Sequence, residues 1–259
     1  MALTDNPFSS SDFFSLDGKV AVVTGGSRGI GAALAFGLAA HGARVYRLGR
    51  SREPQLADCE RLTYRACDVT DEQALKNVMD EIVAKEGQLD ILVNAAGVSF
   101  PPSDELSGVE RFRKTIDVNL QGAYQASMLA VDVMKAQQNG GAIVNVTSIN
   151  SRMGFPGNPG YVASKGGLSA MTRALAVDLG THHIRVNALA PGYIHTDMTR
   201  ASYGDPESHD ARLSRMVLPR WGQPEDMIGT CVFLCSNAAA YVTGQEIFVD
   251  GGWVIKGLS

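Results

Sequence analysis

The sequence lacks any long hydrophobic run and any excess of positive charge. Its 259 residues include 23 Lys and Arg against 27 Asp and Glu, for a net charge of -4. Without surplus cations the chain is poorly suited to neutralise a nucleic-acid backbone or an anionic membrane surface. No apolar stretch approaches the roughly 20 residues that a membrane-spanning helix needs. We therefore expect neither nucleic acid nor a membrane as a partner.

The N-terminal stretch also lacks the features of a secretory signal. Asp5 and Asp12 stand where such a signal has a basic segment followed by an apolar one. The sequence therefore predicts a cytoplasmic protein, in which residues 1–15 form a flexible tail.

Cysteine is scarce, and its spacing excludes the usual zinc and redox motifs. The four cysteines, Cys59, Cys67, Cys231 and Cys235, contain no C-x-x-C pair. Cys231 and Cys235 lie four residues apart and could share a metal ion, but the apolar residues between them favour a place in the core. We expect free thiols and no metal site.

The sequence does contain a regular alternation of short β-branched runs and longer segments of helical period. At 45% hydrophobic content, the chain can bury one substantial core. The alternation predicts an α/β fold, a doubly wound Rossmann-type sheet of about seven parallel strands with helices on both faces. A single catalytic domain is expected over residues 16–259. Strands are predicted at 20–23, 44–47, 62–66, 91–93, 142–146, 184–188 and 246–249.

Two further segments have distinctive patterns. The apolar residues of 72–85 fall on one helical face, and Thr70 with Gln73 resembles a capping box before that helix. From about 195 to 219, charged and aromatic residues interrupt any strand pattern. This irregularity predicts a mobile flap over a substrate site.

A glycine-rich turn follows the first predicted strand. Gly25, Gly29 and Gly31 occur as G-x-x-x-G-x-G, immediately before a small-residue helix predicted at 32–40. Glycines let the backbone turn sharply and approach a pyrophosphate, which the N–H groups and positive dipole of a helix N-terminus bind. The place of the turn between strand and helix predicts a dinucleotide site.

With this turn the chain resembles the short-chain dehydrogenase/reductase family, over about residues 16–254. The further family motifs occur in order, as Asp68-Val69, Asn94-Ala95-Ala96-Gly97, Asn119, Ser148, Tyr161-x-x-x-Lys165, Pro191-Gly192 and Thr196. The resemblance implies a nicotinamide cofactor and a catalytic set of Asn119, Ser148, Tyr161 and Lys165.

The resemblance also assigns parts of the cofactor to parts of the sequence. Asp68 would meet the adenine amino group, the turn at 94–97 would line the adenosine pocket, and Pro191-Gly192 with Thr196 would hold the nicotinamide carboxamide. Asp68 also fits a structural role as a helix-capping carboxylate. All these turns follow strands, at the edge where open α/β sheets bind ligands. The implied cofactor-binding residues are Gly25, Ser27, Arg28, Gly29, Ile30, Gly31, Asp68, Val69, Asn94, Ala95, Gly97, Tyr161, Lys165, Pro191, Gly192, Ile194 and Thr196.

The choice between NADP and NAD depends on the end of the second predicted strand. A carboxylate there would bind the ribose 2′-hydroxyl and repel a 2′-phosphate. The resemblance places Gly49 where NAD-using relatives carry the acid, and the next carboxylate is Glu53. Arg50, and Arg28 in the turn, can fork onto a phosphate, although Arg50 and Arg52 also fit solvated loop charges and Arg28 occurs in NAD-using relatives. We predict NADP, with NAD as the alternative.

Tyr161 and Lys165 are the candidate proton-transfer pair. They lie four residues apart in a segment predicted to be helical, so their side chains share one face. A free phenol has a pKa of about 10, and a nearby ammonium and an oxidised nicotinamide ring would lower it. Ser148 would hydrogen-bond the reacting oxygen. By resemblance, Asn119 holds a water that links Lys165 to solvent.

Candidate substrate contacts flank Ser148, Tyr161 or the flap. They are Ser99, Asn150, Arg152, Asn158, Tyr193, His195, Arg200 and Tyr203. Their polarity predicts a small hydroxylated or anionic substrate, and Arg152 could pair with a carboxylate, phosphate or sulfonate. A surface or subunit-contact role suits Arg152 equally well.

The predicted activity is interconversion of a secondary alcohol and a ketone on a small polyol, sugar acid or other polar carbonyl compound. The C-terminal region resembles gluconate 5-dehydrogenases and also 3-oxoacyl-carrier-protein reductases, so 3-oxoacyl thioester reduction is the alternative. A non-catalytic NADPH-sensing regulatory protein and an epimerase or lyase stay open, although a sensor has no need of the proton-transfer set. The resemblance also implies a homotetramer or homodimer, formed through helices near Asn119 and Tyr161 and the C-terminal strand.

Overall fold

Seven parallel strands form one sheet in the computed structural model of the chain, which describes residues 11–51, 54, 57–102 and 105–257. The strands are β1 (Val20–Thr24), β2 (Arg44–Gly49), β3 (Leu62–Ala66), β4 (Ile91–Asn94), β5 (Gly141–Val146), β6 (Ile184–Pro191) and β7 (Glu246–Val249). Their order across the sheet is β3-β2-β1-β4-β5-β6-β7. The predicted α/β fold class is confirmed. Arg52, Glu53 and residues 1–10 of the predicted tail lie outside the described residues.

Helices cover both faces of this sheet. They are α1 (Gly29–Ala40), α2 (Glu72–Glu86), α3 (Gly108–Ile116), α4 (Gly122–Gln137), α5 (Pro159–Leu179), α6 (Arg200–Gly204), α7 (Pro206–Leu213) and α8 (Ile228–Cys235). Helices α1 and α8 share one core with the sheet, and α2, α4 and α5 share the other. Alternate residues of β1 pack into the two cores, Ala21 into the first and Val22 into the second. Because both faces are covered, the central strands are continuous apolar runs.

The start of α2 differs from the prediction. Its N-cap is Asp71, whose carboxylate accepts a hydrogen bond from the Ala74 N–H at 2.9 Å. The predicted capping box of Thr70 and Gln73 is wrong, because the Thr70 N–H and hydroxyl both donate to Asp68, at 3.0 and 2.8 Å. Asp68 therefore stabilises the turn before the helix, and Asp71 caps the helix itself.

The predicted flap at 195–219 contains more regular structure than its sequence pattern indicates. It includes the two short helices α6 and α7. Asp205 caps α7 by accepting from the Ser208 N–H at 2.9 Å, and Pro206 begins the helix. The mobility of this segment stays a prediction. No helix among the described residues is long and apolar enough to cross a membrane.

The four cysteines are free thiols, as predicted. Cys59 is exposed, and the other three are buried. Burial, with smaller contributions from the charges of Asp68 and Asp71, raises the pKa of Cys67 to about 11. Cys231 and Cys235 lie in the core beside α1, which confirms their interpretation as core residues. The described part of the chain contains no group of three or more side chains suited to a metal ion.

A buried polar network joins the centre of the sheet to two helices. The Asn94 amide donates to Asn145 Oδ1 on β5 and to Ser127 Oγ on α4, both at 2.9 Å. The Asn145 amide in turn donates to Thr172 Oγ1 on α5 at 2.9 Å. All four side chains are buried. Such groups are costly to leave unpaired, so the network fixes how β4, β5, α4 and α5 meet.

We expect Asn145→Ala to lower the free energy of unfolding by about 2 to 4 kcal/mol, because it opens a cavity and removes partners from Asn94 and Thr172. Urea denaturation measures this loss. The matched control is Asn77→Ala at an exposed position of α2, expected to change stability by less than about 0.5 kcal/mol. A loss at Asn145 no larger than at Asn77 would contradict a stabilising role for the network.

Candidate active site

The carboxyl edge of the sheet brings the predicted turns together. Strand order reverses between β1 and β4, and ligands of open α/β sheets bind in the crevice at such a point. A Cβ added at Gly29 would lie 3.6 Å from Thr196 Cγ2, so the glycine turn after β1 faces the segment after β6. A Cβ added at Gly97 would lie 3.6 Å from Lys165 Nζ, so the turn after β4 faces α5.

Backbone packing explains the glycines of the first turn. Gly25 has a φ of +68°, and a Cβ there would lie 2.6 Å from the Ala96 backbone. A Cβ at Gly31 would lie 2.3 Å from the Gly25 carbonyl oxygen. Only glycine allows these approaches. The approach at Gly25 brings the turn after β1 into direct contact with the turn after β4, and the approach at Gly31 packs the start of α1 against the turn itself.

The N-terminus of α1 lies inside this turn. Arg28 is the N-cap residue and makes no side-chain capping bond within the described chain. Its guanidinium instead lies 3.7 Å from the Asp197 carboxylate, as an exposed ion pair. Ile30 packs against the core on one side of the sheet. The helix therefore presents its positive end to the crevice, where an anionic group would be stabilised.

On the side predicted to bind adenosine, several predicted residues have structural contacts of their own. Val69 packs against α4, since a Cβ at Gly122 would lie 2.7 Å from Val69 Cγ2. The Asn94 amide belongs to the buried network, and Ala95 packs against the core beside α1. These residues shape the wall of the crevice beside the half-buried Asp68.

On the opposite side, the chain leaves β6 at Pro191 and crosses the crevice. The Gly192 N–H donates to the Val249 carbonyl at 3.1 Å, and Ile194 is buried. The Thr196 N–H donates to Thr199 Oγ1 at 3.0 Å. This segment therefore holds Thr196 opposite the glycine turn.

Tyr161 lies in the first turn of α5, close to Ser148 at the end of β5. Asn158 caps the helix by accepting from the Tyr161 N–H at 3.2 Å. Burial raises the pKa of the Tyr161 phenol above its usual value of 10.0. A hydrogen bond with Ser148 offsets part of this rise, and the neighbouring Tyr193 adds to it. The Ser148 hydroxyl also accepts from the Asn150 N–H at 3.1 Å. The phenol is therefore protonated at neutral pH.

Lys165 follows Tyr161 by one helical turn, on the same face as predicted. Its Nζ lies 5.7 Å from the centre of the Tyr161 ring and donates to the Val146 carbonyl at 2.8 Å. Burial lowers the pKa of the ammonium from 10.5 to about 8. The predicted lowering of the phenol pKa by this ammonium is not found in the chain alone, where desolvation of the phenol is larger.

Asn119 lies in a single π-helical turn, Asp117–Gln121, that links α3 to α4. Its carbonyl oxygen accepts from the Val98 N–H at 2.7 Å. Its amide donates to the Val98 carbonyl at 2.9 Å and to Ser164 Oγ at 3.1 Å. Asn119 thus links the turn after β4 to α5, and single π-helical turns of this kind are frequent at functional sites. Its link to a water stays a prediction.

The candidate substrate residues form three sets, namely polar residues around Ser148 and Tyr161, two arginines, and an aromatic set beneath the flap. Ser99, Asn150 and Asn158 lie around Ser148 and Tyr161, where the Asn158 amide donates to Ser99 Oγ at 2.8 Å. The two arginines instead pair with acids of the chain. Arg152 lies 3.7 Å from Glu246 and stacks over the Phe248 ring at 4.7 Å, and Arg200 pairs with Asp197. Neither guanidinium is held toward Tyr161 by these contacts.

An aromatic cluster lies beneath the flap. The Tyr193 ring lies 5.4 Å from Trp221 and 4.7 Å from Trp253. His195 stacks on Tyr203 at 3.9 Å. The three candidates Tyr193, His195 and Tyr203 are thus packed into one wall of the site.

Some residues of the site were missed by sequence reasoning. The Arg212 guanidinium lies 5.0 Å above the Tyr193 ring, although the sequence shows only a charge in the flap. The Val146 carbonyl accepts a hydrogen bond from Lys165, and a backbone acceptor cannot be predicted from the pattern of side chains. Tyr64 on β3 approaches the end of β2, where the two strands pair, and strand periodicity alone does not show which side chain does so.

Known proteins resemble the chain over nearly its whole length. A family model described as Enoyl-(Acyl carrier protein) reductase matches residues 25–254. A 2-dehydro-3-deoxy-D-gluconate 5-dehydrogenase from Pseudoalteromonas atlantica is 39% identical over 93% of this chain and 98% of its own. A 3-oxoacyl-[acyl-carrier-protein] reductase from Thermotoga maritima is 39% identical over 93% and 99%.

A solved structure agrees with the fold. The crystal structure of a gluconate 5-dehydrogenase from Burkholderia cenocepacia, in complex with NADP and tartrate, superposes with a TM-score of 0.88 at 33% identity. The match covers 94% of this chain and 98% of that one. The chain therefore belongs to the short-chain dehydrogenase/reductase family of oxidoreductases.

Proposed function

We propose that this chain is an NADP-dependent oxidoreductase that interconverts a secondary alcohol and a ketone on a small polyol, sugar acid or other polar carbonyl compound. The observation that carries the proposal is the meeting of Ser148, Tyr161 and Lys165 beside a glycine turn that faces Thr196. The relatives named for gluconate chemistry support the substrate class.

The crevice fits a dinucleotide. The backbone cradle of Gly25 and Gly31 leaves no room for side chains, and the positive end of α1 opens onto it. The residues proposed to hold the cofactor are the predicted set, with the glycine turn at the pyrophosphate and Thr196 at the carboxamide. The bound nicotinamide would supply or accept the hydride.

The chain itself supplies the proton. Since burial raises the pKa of Tyr161, the phenol carries its proton at neutral pH and can donate it to the carbonyl oxygen during reduction. Ser148 donates a hydrogen bond to the same oxygen and stabilises the developing negative charge. Lys165 adds positive charge beside the phenolate that remains. Asn119 keeps the turn after β4 and α5 in register, and its link to a water is part of this proposal.

Arg50→Ala tests the cofactor assignment. Arg50 is exposed at the end of β2, where a guanidinium can pair with a 2′-phosphate. We expect its removal to raise the KM for NADP by about tenfold or more while leaving that for NAD within about twofold. The control is Arg44→Ala at the opposite end of the same strand, with both constants unchanged. Equal effects on the two cofactors would contradict the 2′-phosphate contact.

A substrate panel separates the remaining functions. Sugar acids, polyols, sulfonated polyols and 3-oxoacyl thioesters are each assayed with both cofactors. Turnover of the thioesters alone would favour the alternative supported by the Thermotoga relative. NADPH binding without turnover on any compound would indicate a regulatory sensor. Substrate conversion without net change in NADPH absorbance would indicate an epimerase or lyase.

The proposal includes a cytoplasmic homotetramer or homodimer. Helices α3, α4 and α5 expose apolar side chains that a second subunit would cover, namely Val109, Phe112, Tyr124 and Val177. Light scattering after size-exclusion chromatography measures the oligomeric state. A monomer at micromolar concentration would contradict this part of the proposal.

A further inference from the structure

A side chain at Gly49, the last residue of β2, would be crowded by Tyr64 and Ser27. A Cβ added there would lie 2.8 Å from the Tyr64 hydroxyl oxygen, 3.1 Å from Ser27 Cβ and 3.2 Å from Ser27 Oγ. Contacts this short force neighbouring atoms to move, and overpacking of this kind destabilises a fold. Tyr64 and Ser27 together therefore occupy the space that any larger residue would need.

Tyr64 is held in this position from two sides. Its hydroxyl donates to the Ser51 carbonyl at 2.5 Å, which ties it to the chain just beyond β2. The Arg47 guanidinium lies 5.5 Å from the centre of the Tyr64 ring. Arg47 is itself fully buried and donates to the Asp58 carboxylate at 2.8 Å. A shift of the ring away from Gly49 would thus disturb the Ser51 bond and the packing over a buried guanidinium.

The place of this obstruction gives it a consequence for cofactor choice. In dinucleotide-binding sheets, the acid that selects NAD lies roughly 20 residues beyond the glycine turn, at the end of the second strand. Gly49 ends β2, the strand next to β1, and exposed Arg50 follows it. Tyr64, on β3 and outside the glycine turn, fills the position from which an acidic side chain would have to start.

We infer that Tyr64 is a specificity-determining residue, which blocks a carboxylate at position 49 and so keeps the site open to a 2′-phosphate. This inference rests on the proposed NADP-dependent function. It means that the single change Gly49→Asp is insufficient to convert the cofactor preference, and that conversion requires removal of the Tyr64 hydroxyl as well.

The test is a set of variants titrated with NADPH and NADH by cofactor fluorescence, so no substrate is needed. Gly49→Asp is expected to weaken NADPH binding about tenfold or more without strengthening NADH binding. Adding Tyr64→Phe is expected to strengthen NADH binding about tenfold over Gly49→Asp alone. The matched control adds Tyr241→Phe, a fully exposed tyrosine, and is expected to give no recovery.

Two results would overturn the inference. One is a Gly49→Asp protein that binds NADH tightly at the thermal stability of the wild type, and the other is a double variant no better than the single one. A separate measurement tests the steric obstruction at Gly49 without depending on which cofactor binds. Gly49→Ala is expected to lower Tm by about 4 °C, and Tyr64→Phe to remove most of that loss. Wild-type protein without preference for NADPH would refute the proposed cofactor, whereas additive Tm changes would refute the obstruction.

Discussion

Tyr161→Phe is expected to lower kcat by about a thousandfold to ten-thousandfold while NADPH binding stays within about twofold of the wild type. The change removes only the phenolic oxygen, which is the atom proposed to transfer the proton. The ring remains, so its packing in the first turn of α5 is kept. Steady-state assays on the best substrate of the panel give kcat, and fluorescence titration gives the affinity for NADPH.

The control for this variant is Tyr241→Phe, which loses the same oxygen at an exposed position. Its kcat should equal that of the wild type. A Tyr161→Phe enzyme that keeps a tenth of its activity would show that another group transfers the proton. A large loss of NADPH affinity would show that the hydroxyl serves mainly in binding.

Lys165→Met is expected to change activity and stability in opposite directions. Activity should fall by about a hundredfold or more, because the charge that favours the phenolate is lost. Stability at pH 7 should rise by about 2 kcal/mol. Burial holds the pKa of Lys165 near 8 against 10.5, which corresponds to about 3 kcal/mol of destabilisation. Loss of the bond to the Val146 carbonyl offsets about 1 kcal/mol of this gain.

The pH dependence follows from the sign of this shift. The folded state releases the lysine proton near pH 8 and the unfolded state only near 10.5. Between these values the unfolded state binds more protons, so wild-type stability rises with pH and its deficit relative to Lys165→Met shrinks. Urea denaturation at pH 7 and pH 10 measures the deficit. Lys76→Met, on exposed α2, is expected to change stability by less than about 1 kcal/mol. A deficit that grows with pH would contradict the assignment.

The sequence was sufficient to predict the sheet because its central strands are buried on both faces. Seven predicted strands fall on the seven observed, with ends that differ by up to three residues, as at 184–188 against Ile184–Pro191. The observed β6 continues to Pro191, directly before Gly192, and the hydrophobic pattern of the sequence does not predict these last three residues of the strand. The glycine turn was equally clear, since backbone contacts as short as those at Gly25 and Gly31 exclude other residues.

Side-chain pairing across the fold was not predictable from the sequence. The sequence left Arg152 open between an anionic-substrate contact and a surface or subunit-contact role, and the structure pairs it with Glu246 on β7, far away in the chain. Thr70 and Gln73 have the spacing of a capping box. In the structure, however, Asp68 accepts the hydrogen bonds of the turn and Asp71 caps the helix. Both outcomes depend on distances between groups that a linear pattern does not contain. The rise in the pKa of the Tyr161 phenol in the chain alone has a related cause, because burial is a property of the assembled site.

The distribution of the cysteines makes the protein ready for single-site labelling. A maleimide dye reacts with exposed thiolate, and Cys59 alone among the four is exposed. With a pKa of about 11 and a buried position, Cys67 stays unreactive at neutral pH. The dye would stand next to Asp58, which holds the buried guanidinium beneath the Tyr64 ring. Without any engineered cysteine, the chain thus carries a single attachment point for a fluorophore, next to the residue that pairs with Arg47.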